Sequence, residues 1–216
     1  MTVLVKLLSQ FSPSNDGAFF FWILAIFGLL AFSLAIERLL TVNIKSNIDA
    51  EKFSSDVRAM IQKGDLKNAH ELAKANSEKA LAYVYSRALQ VAVGMEYIDY
   101  RNIQNAVDEA TLEIMPRLTK RTSWLQTFAN VATLIGLMGT IYGLILSFEA
   151  LASAGAGSSN ALAAGISTAM LTTLAGLMVA IPCMLCFSLI NNKTNQIMAE
   201  IDEYSVKLIN LITGSK

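Results

Sequence analysis

The sequence predicts an all-α membrane protein, with three transmembrane helices and long helices that extend into a cytoplasmic helical domain. Three observations carry this expectation. Hydrophobic residues make up 54% of the 216 and charged residues only 16%, which is too apolar for an ordinary soluble domain. Three uncharged runs, Gly17–Ile36, Trp124–Phe148 and Ala161–Ile190, each reach the roughly 20 residues that cross a bilayer as a helix. Between the first and second runs, Thr41 to Arg121 has the charge and the apolar period of a soluble helical bundle. The apolar composition implies a lipid membrane as surroundings, and the formal net charge of zero suggests no nucleic acid as partner.

The elements follow in order. Residues 1–16 are an N-terminal segment with Val3, Leu7 and Phe11 on one side, closed by the turn-like Ser12-Pro13-Ser14-Asn15-Asp16-Gly17. No cleavable signal is expected, because the first apolar run has full spanning length. Residues 17–40 form transmembrane helix 1, opened by the aromatic belt Phe19, Phe20, Phe21 and Trp22 and closed by Glu37-Arg38. Residues 41–121 are the helical domain. Phe53, Val57, Met60 and Ile61 make a first core stripe, and Gly64-Asp65 reads as a stop followed by an N-cap. A helix through Leu66, Ala69, Leu72 and Ala73 follows, then one through Leu81, Val84, Tyr85, Ala88 and Leu89. A fourth starts near Asp99 and has Pro116 as a point of bending.

Residues 122–149 form transmembrane helix 2, residues 150–160 a short bend and residues 161–191 transmembrane helix 3. Residues 192–216 form a C-terminal helix whose Ile197, Ile201, Tyr204, Leu208 and Leu211 share one face. Thirteen of the seventeen Lys and Arg fall between Arg38 and Arg121, and the bend has none. The positive-inside rule then puts the helical domain and the C-terminus in the cytoplasm, with the N-terminus and the bend on the opposite side.

Phosphate-binding loops, zinc motifs and clustered Cys/His are all missing, so no enzyme, cofactor or metal is expected. Cys183 and Cys186 sit at helical spacing in an apolar run and read as small packing residues. His70, the single histidine, reads as exposed or capping. The informative pattern is a stripe of small or hydroxylated residues on helix 2, namely Ala129, Thr133, Gly136, Thr140, Gly143 and Ser147. On helix 3, Ala169, Thr173, Gly176, Ala180 and Cys183 make a second, with Thr168 and Thr172 beside it. Small residues let membrane helices approach closely, as in Gly139-x-x-x-Gly143, and threonine hydroxyls commonly bond to a carbonyl of their own helix. Six hydroxyls converging on one hairpin also suit an ion path. Pro182 leaves the Met178 carbonyl without its helical partner and is a kink or a flexing point.

The runs Gly136-Leu-Met-Gly139-Thr140-Ile-Tyr-Gly143, Gly165-Ile-Ser-Thr168-Ala-Met-Leu-Thr172-Thr173-Leu-Ala-Gly176 and Ala180-Ile-Pro182 resemble the MotA/TolQ/ExbB proton-channel family, and the three-span layout is closest to ExbB and TolQ. The resemblance implies a homopentamer in the bacterial inner membrane, with the N-terminus and the bend in the periplasm. It implies a single-span ExbD/TolR/MotB-like partner whose membrane aspartate binds the travelling ion. It also implies an ion-channel or stator subunit that converts the proton or sodium motive force into work on the cell envelope.

Thr140 and Thr173 match the pore threonines of those proteins, Pro182 matches their proline, and Gly136, Gly139, Gly143 and Gly176 fall in the packing motifs. Thr168 stands where ExbB and TolQ have a glutamate, and Thr172-Thr173 is similar to the double threonine of sodium-driven stators. The transported ion, H+ or Na+, stays open at this point. The rival reading is a non-conducting membrane scaffold of the same fold.

Overall fold

The computed structural model describes residues 5, 7, 9–12, 17–94, 99–154 and 159–214. Val3, the turn at 13–16 and the centre of the bend, 155–158, lie outside the described residues. Among the described residues there is no strand. In chain order the helices are α1 (Ala18–Leu40), α2 (Ala50–Gln62), α3 (Leu66–Ala75), α4 (Ala80–Gly94), α5 (Tyr100–Thr119), α6 (Thr122–Ala154) and α7 (Ser159–Thr213). Three helical stretches, Ala18–Ile44, Tyr100–Ser153 and Leu162–Thr213, are long and apolar enough to cross a membrane. Helix enters the 150–160 segment from both sides.

The chain forms two units, Met1–Ile36 with Arg121–Ser188, and Glu37–Lys120 with Leu189–Lys216. In the first, Phe21, Leu24 and Ala31 of α1 are buried together with Ala129 and Ala132 of α6 and Leu171, Ala175, Ala180 and Cys183 of α7. Helices α1 and α7 run parallel. A Cβ on Gly17 would touch Thr168 and one on Gly28 would touch Val179, at the same sequence offset. Phe27 stacks edge-on to Phe128 at 5.7 Å, and Phe20 meets Tyr142 at 5.5 Å, so α6 is antiparallel to α1. Phe19, Ile26, Leu29 and Phe32 of α1 stay exposed, as expected of side chains that face hydrocarbon.

In the second unit, alanines and aliphatics interlock along α4 and α5. Leu81, Val84, Ala88 and Leu89 are buried, as are Ile103, Val107, Ala110 and Ile114. Ile197, Ile201 and Leu208 of α7 complete this core. Helix α2 ends in a Schellman motif, with Gly64 at φ 80°, its N–H bonded to the Ile61 carbonyl and the Asp65 N–H to that of Met60. Asp65 then caps α3 by accepting from the Asn68 N–H at 3.2 Å. Gly64→Ala should therefore cost about 1–2 kcal/mol, the penalty of a Cβ at left-handed φ, read as a lower melting temperature. His70 is half-buried, with Nδ1 3.1 Å from the Ser86 carbonyl of α4, so it is neither exposed nor a cap.

Tyr85 ties the two ends of this unit together. Its hydroxyl donates to the Tyr204 carbonyl at 2.9 Å and lies 3.1 Å from the Ser54 hydroxyl. Burial pushes its pKa up to about 12, with Tyr204 adding to the rise and Ser54 opposing it. The unfolded chain releases this proton near pH 10 and the folded chain does not. The neutral phenol's stabilisation is therefore whole below pH 10 and is lost as pH rises towards 12. A spectrophotometric titration should show one tyrosine ionising late, with the unit unfolding in the same window, and Tyr85→Phe should remove the late phase.

The polar break between α5 and α6 sits at Lys120 and Arg121, the latter at φ 66°. Pro116 lies inside α5.

Candidate functional site

The hairpin of α6 and α7 is held by a seam from which side chains are almost absent. A Cβ on Gly176 would lie 2.7 Å from the Ala132 carbonyl and 3.1 Å from the Gly136 Cα. One on Gly139 would lie 2.7 Å from both Cβ and Oγ1 of Thr172, and one on Gly143 would be 2.9 Å from the Ala169 Cβ. Gly165 closes the seam against Ser147. As numbers rise along α6 they fall along α7, which is antiparallel packing at near-backbone contact. Such closeness supplies the dispersion contacts that hold helices together where lipid is as apolar as the protein.

The hydroxyls divide by the face they occupy. Thr172 is 1% exposed and lies in the seam, donating to its own helix at the Ala169 carbonyl, 2.7 Å, with a longer contact of 3.4 Å to the Gly136 carbonyl. Thr173, half-buried, reaches across at 3.4 Å to the same Gly136 carbonyl. Thr168 donates to the Ala164 carbonyl at 3.2 Å and packs on the α1 side, where Gly17 leaves room for its methyl. Thr140 donates to Leu137 at 2.6 Å, Thr133 to Ala129 at 3.0 Å and Ser147 to Gly143 at 2.7 Å.

Helix α6 meets α1 through Phe128 and Tyr142, and α7 meets it through Thr168 and Val179. At 100° per residue, Thr140 on α6 and Thr173 on α7 both fall on the opposite side of the hairpin. The fold thus brings Thr140 and Thr173 to one face, keeps Thr172 between the helices and sends Thr168 towards α1. Pro182 is exposed and lines a small apolar cleft of about 180 Å³ with Gly28, Ala31, Phe32, Met178, Cys183 and Cys186.

Two further residues join the Thr140 face. Gln126 and Asn130 are exposed on α6 and, with Thr133, Leu137 and Thr140, fall within one narrow arc of the helix. Among the described residues neither carboxamide has a hydrogen-bond partner. The spacing of 4, 3, 4 and 3 residues was available in the sequence. What hid them was the assumption that the small-residue stripe and the polar face coincide, whereas they are adjacent. Among the described residues no group of acidic, His and Cys side chains could hold a metal.

Comparison with known proteins gives concordant results. A family model described as the MotA/TolQ/ExbB proton channel family matches residues 70–203. A putative biopolymer transport protein, an ExbB homolog of Methanothermobacter thermautotrophicus, is 27% identical over 201 residues, 93% of this chain and 67% of that one. A putative ExbB-like 3 protein of Synechocystis sp. is 30% identical over 187 residues, covering 79% of this chain and 85% of its own. The Tol-Pal system protein TolQ of Haemophilus influenzae is 30% identical over 128 residues, 57% of this chain and 56% of that one. The structure of C. jejuni MotAB matches 99% of this chain and 85% of its own with a TM-score of 0.59 at 14% identity, a likeness of fold.

Proposed function

As this chain belongs to the MotA/TolQ/ExbB proton channel family, we propose that it is the stator-type subunit of an ion-driven motor in the bacterial inner membrane. The observation that carries the reading is the one polar face of the hairpin, with Thr140 and Thr173 together on the side away from α1. A polar face within an apolar span belongs against protein or water, because hydrocarbon offers it no hydrogen bonds. The chain supplies hydroxyls there but no carboxylate. The titrating group is the membrane aspartate of a single-span partner of the ExbD/TolR/MotB kind, enclosed by a homopentamer. The N-terminus and the bend face the periplasm, and the helical unit and C-terminus face the cytoplasm.

The ion in this proposal is the proton. Of the Thr172–Thr173 pair only Thr173 reaches the open face, and Thr168 turns towards α1, so the neighbouring threonines do not present several oxygens to one hard cation. One charge crossing the membrane releases about 2.3 kcal/mol per 100 mV, the energy available for work.

The test is co-expression with a neighbouring single-span protein that bears a membrane aspartate, purification, and ion uptake into liposomes with pH and Na+ varied separately. Co-purification with uptake that follows pH alone supports the proposal. Uptake that requires Na+ would replace the proton. No co-purification and indifference to both ions would indicate a non-conducting scaffold.

A further inference from the structure

A polar cleft lies in the other unit, between α2 and the end of α7. Its volume is about 690 Å³, within the range that holds small molecules. Glu51, Ser54, Ser55 and Arg58 line it from α2, on one stripe of that helix. Tyr204, Lys207 and Asn210 line it from α7, and Tyr85 from α4. Some of these groups are already bonded. The Tyr85 hydroxyl gives its one proton to the Tyr204 carbonyl, so Ser54 donates to Tyr85 and keeps only lone pairs for the cleft. Lys207 is hydrogen-bonded to Glu203 and lies over the Tyr204 ring at 4.5 Å. Among the described residues, the side chains of Arg58, Ser55 and Asn210 have no partner, and Glu51 acts on Lys207 only from beyond ion-pair distance.

The two open charges, Glu51 and Arg58, are opposite in sign and two helical turns apart, about 10 Å along the axis. Their Cβ atoms tilt the same way, so the charged heads keep about that separation. A simple anion would satisfy Arg58 and be repelled by Glu51, and a simple cation would do the reverse. A molecule with both charges at that spacing, and with hydrogen-bonding groups between them, meets every open group in the cleft. An extended chain of three residues spans roughly 10 Å, carries the two charges at its free ends and has amides for Ser54, Ser55 and Asn210. We infer that this cleft binds a short zwitterion of the tripeptide class, with its carboxylate on Arg58 and its ammonium on Glu51. The site goes beyond the proposed function, because none of its residues belongs to the hairpin and its occupancy is read without ion uptake.

The test is calorimetric titration of the full chain in detergent with trialanine. A dissociation constant at or below about 1 mM is expected. N-acetyl-trialanine and trialanine amide should each bind at least roughly 10-fold more weakly, since each lacks one charge-assisted contact. Acetylation should make no further difference in Glu51→Gln, nor amidation in Arg58→Gln. Arg101→Gln, on α5 and outside the cleft, should bind as the wild type does. Where a cleft variant loses the wild-type elution position, the blocked peptides on the wild-type chain carry the test alone. No binding of trialanine, or binding that ignores the block at either end, would overturn the site. So would tighter binding of doubly blocked hexaalanine, which would make the cleft a groove for a segment of another protein.

Discussion

Gly176→Ala is expected to prevent the hairpin from assembling. Its new Cβ would meet the Ala132 carbonyl at 2.7 Å and the Gly136 Cα at 3.1 Å, and both are backbone atoms. Backbone has no rotamer to yield, so the helices must separate along the seam. Overpacking usually costs about 1–3 kcal/mol, and here the lost contacts of the neighbouring glycines add to it. Detergent-solubilised variant should lose the elution position of the wild type and become protease-sensitive at the bend. Gly139→Ala differs in kind, because its Cβ meets Cβ and Oγ1 of Thr172, which are side-chain atoms. Thr172→Gly should therefore rescue Gly139→Ala and leave Gly176→Ala unrescued. Gly28→Ala, whose Cβ would sit at an ordinary 3.4 Å from Val179, serves as the tolerated control. Equal stability of all three single variants would show that the seam is not close-packed.

Thr173→Val is expected to reduce ion uptake by at least about 10-fold, a barrier increase near 1.4 kcal/mol, without loss of assembly. The substitution keeps the shape and removes the hydroxyl. That hydroxyl makes only a long contact to the Gly136 carbonyl, so little stability leaves with it. Thr173→Ser should retain uptake. Thr140→Val should behave like Thr173→Val, since the two share a face, and Thr168→Val should be milder, since it packs beside Gly17. Liposome uptake measured alongside elution position separates these outcomes. Wild-type uptake in both Thr140→Val and Thr173→Val would remove the two residues from the ion path.

Much of this architecture is legible from residue type and spacing. The uncharged run Gly17–Ile36 fixes a spanning helix because hydrocarbon tolerates little else. Gly64-Asp65 marks a stop and a cap, since only glycine accepts φ 80° without penalty and aspartate bonds the free N–H groups of the next helix. The glycine stripe on α6 reads directly as a close approach. Other features are not local. Periodicity shows which residues share a face of one helix, but not which neighbour that face meets. Spacing puts Thr168 beside the stripe that holds Thr173, but only the position of α1 shows which neighbour Thr168 meets. The boundary at Arg121 is legible as the end of the charged stretch, but the left-handed turn that makes it is not, because a left-handed arginine has no compositional sign. Gln126 and Asn130 were visible as letters and became informative only once the seam was seen to lie beside them.

The near-absence of side chains along the α6–α7 seam also bears on how the chain enters the bilayer. Two helices that already fit at backbone distance, with Glu149 near the end of α6 as the sole formal charge between Arg121 and Lys193, have little to gain from inserting separately. They can cross as one preassembled pair that drags a single carboxylate over the barrier. Biogenesis of the hairpin should then be all-or-none. A truncation that ends before Gly165 should leave α6 poorly inserted and open to degradation, although α6 is apolar enough by itself to span the membrane.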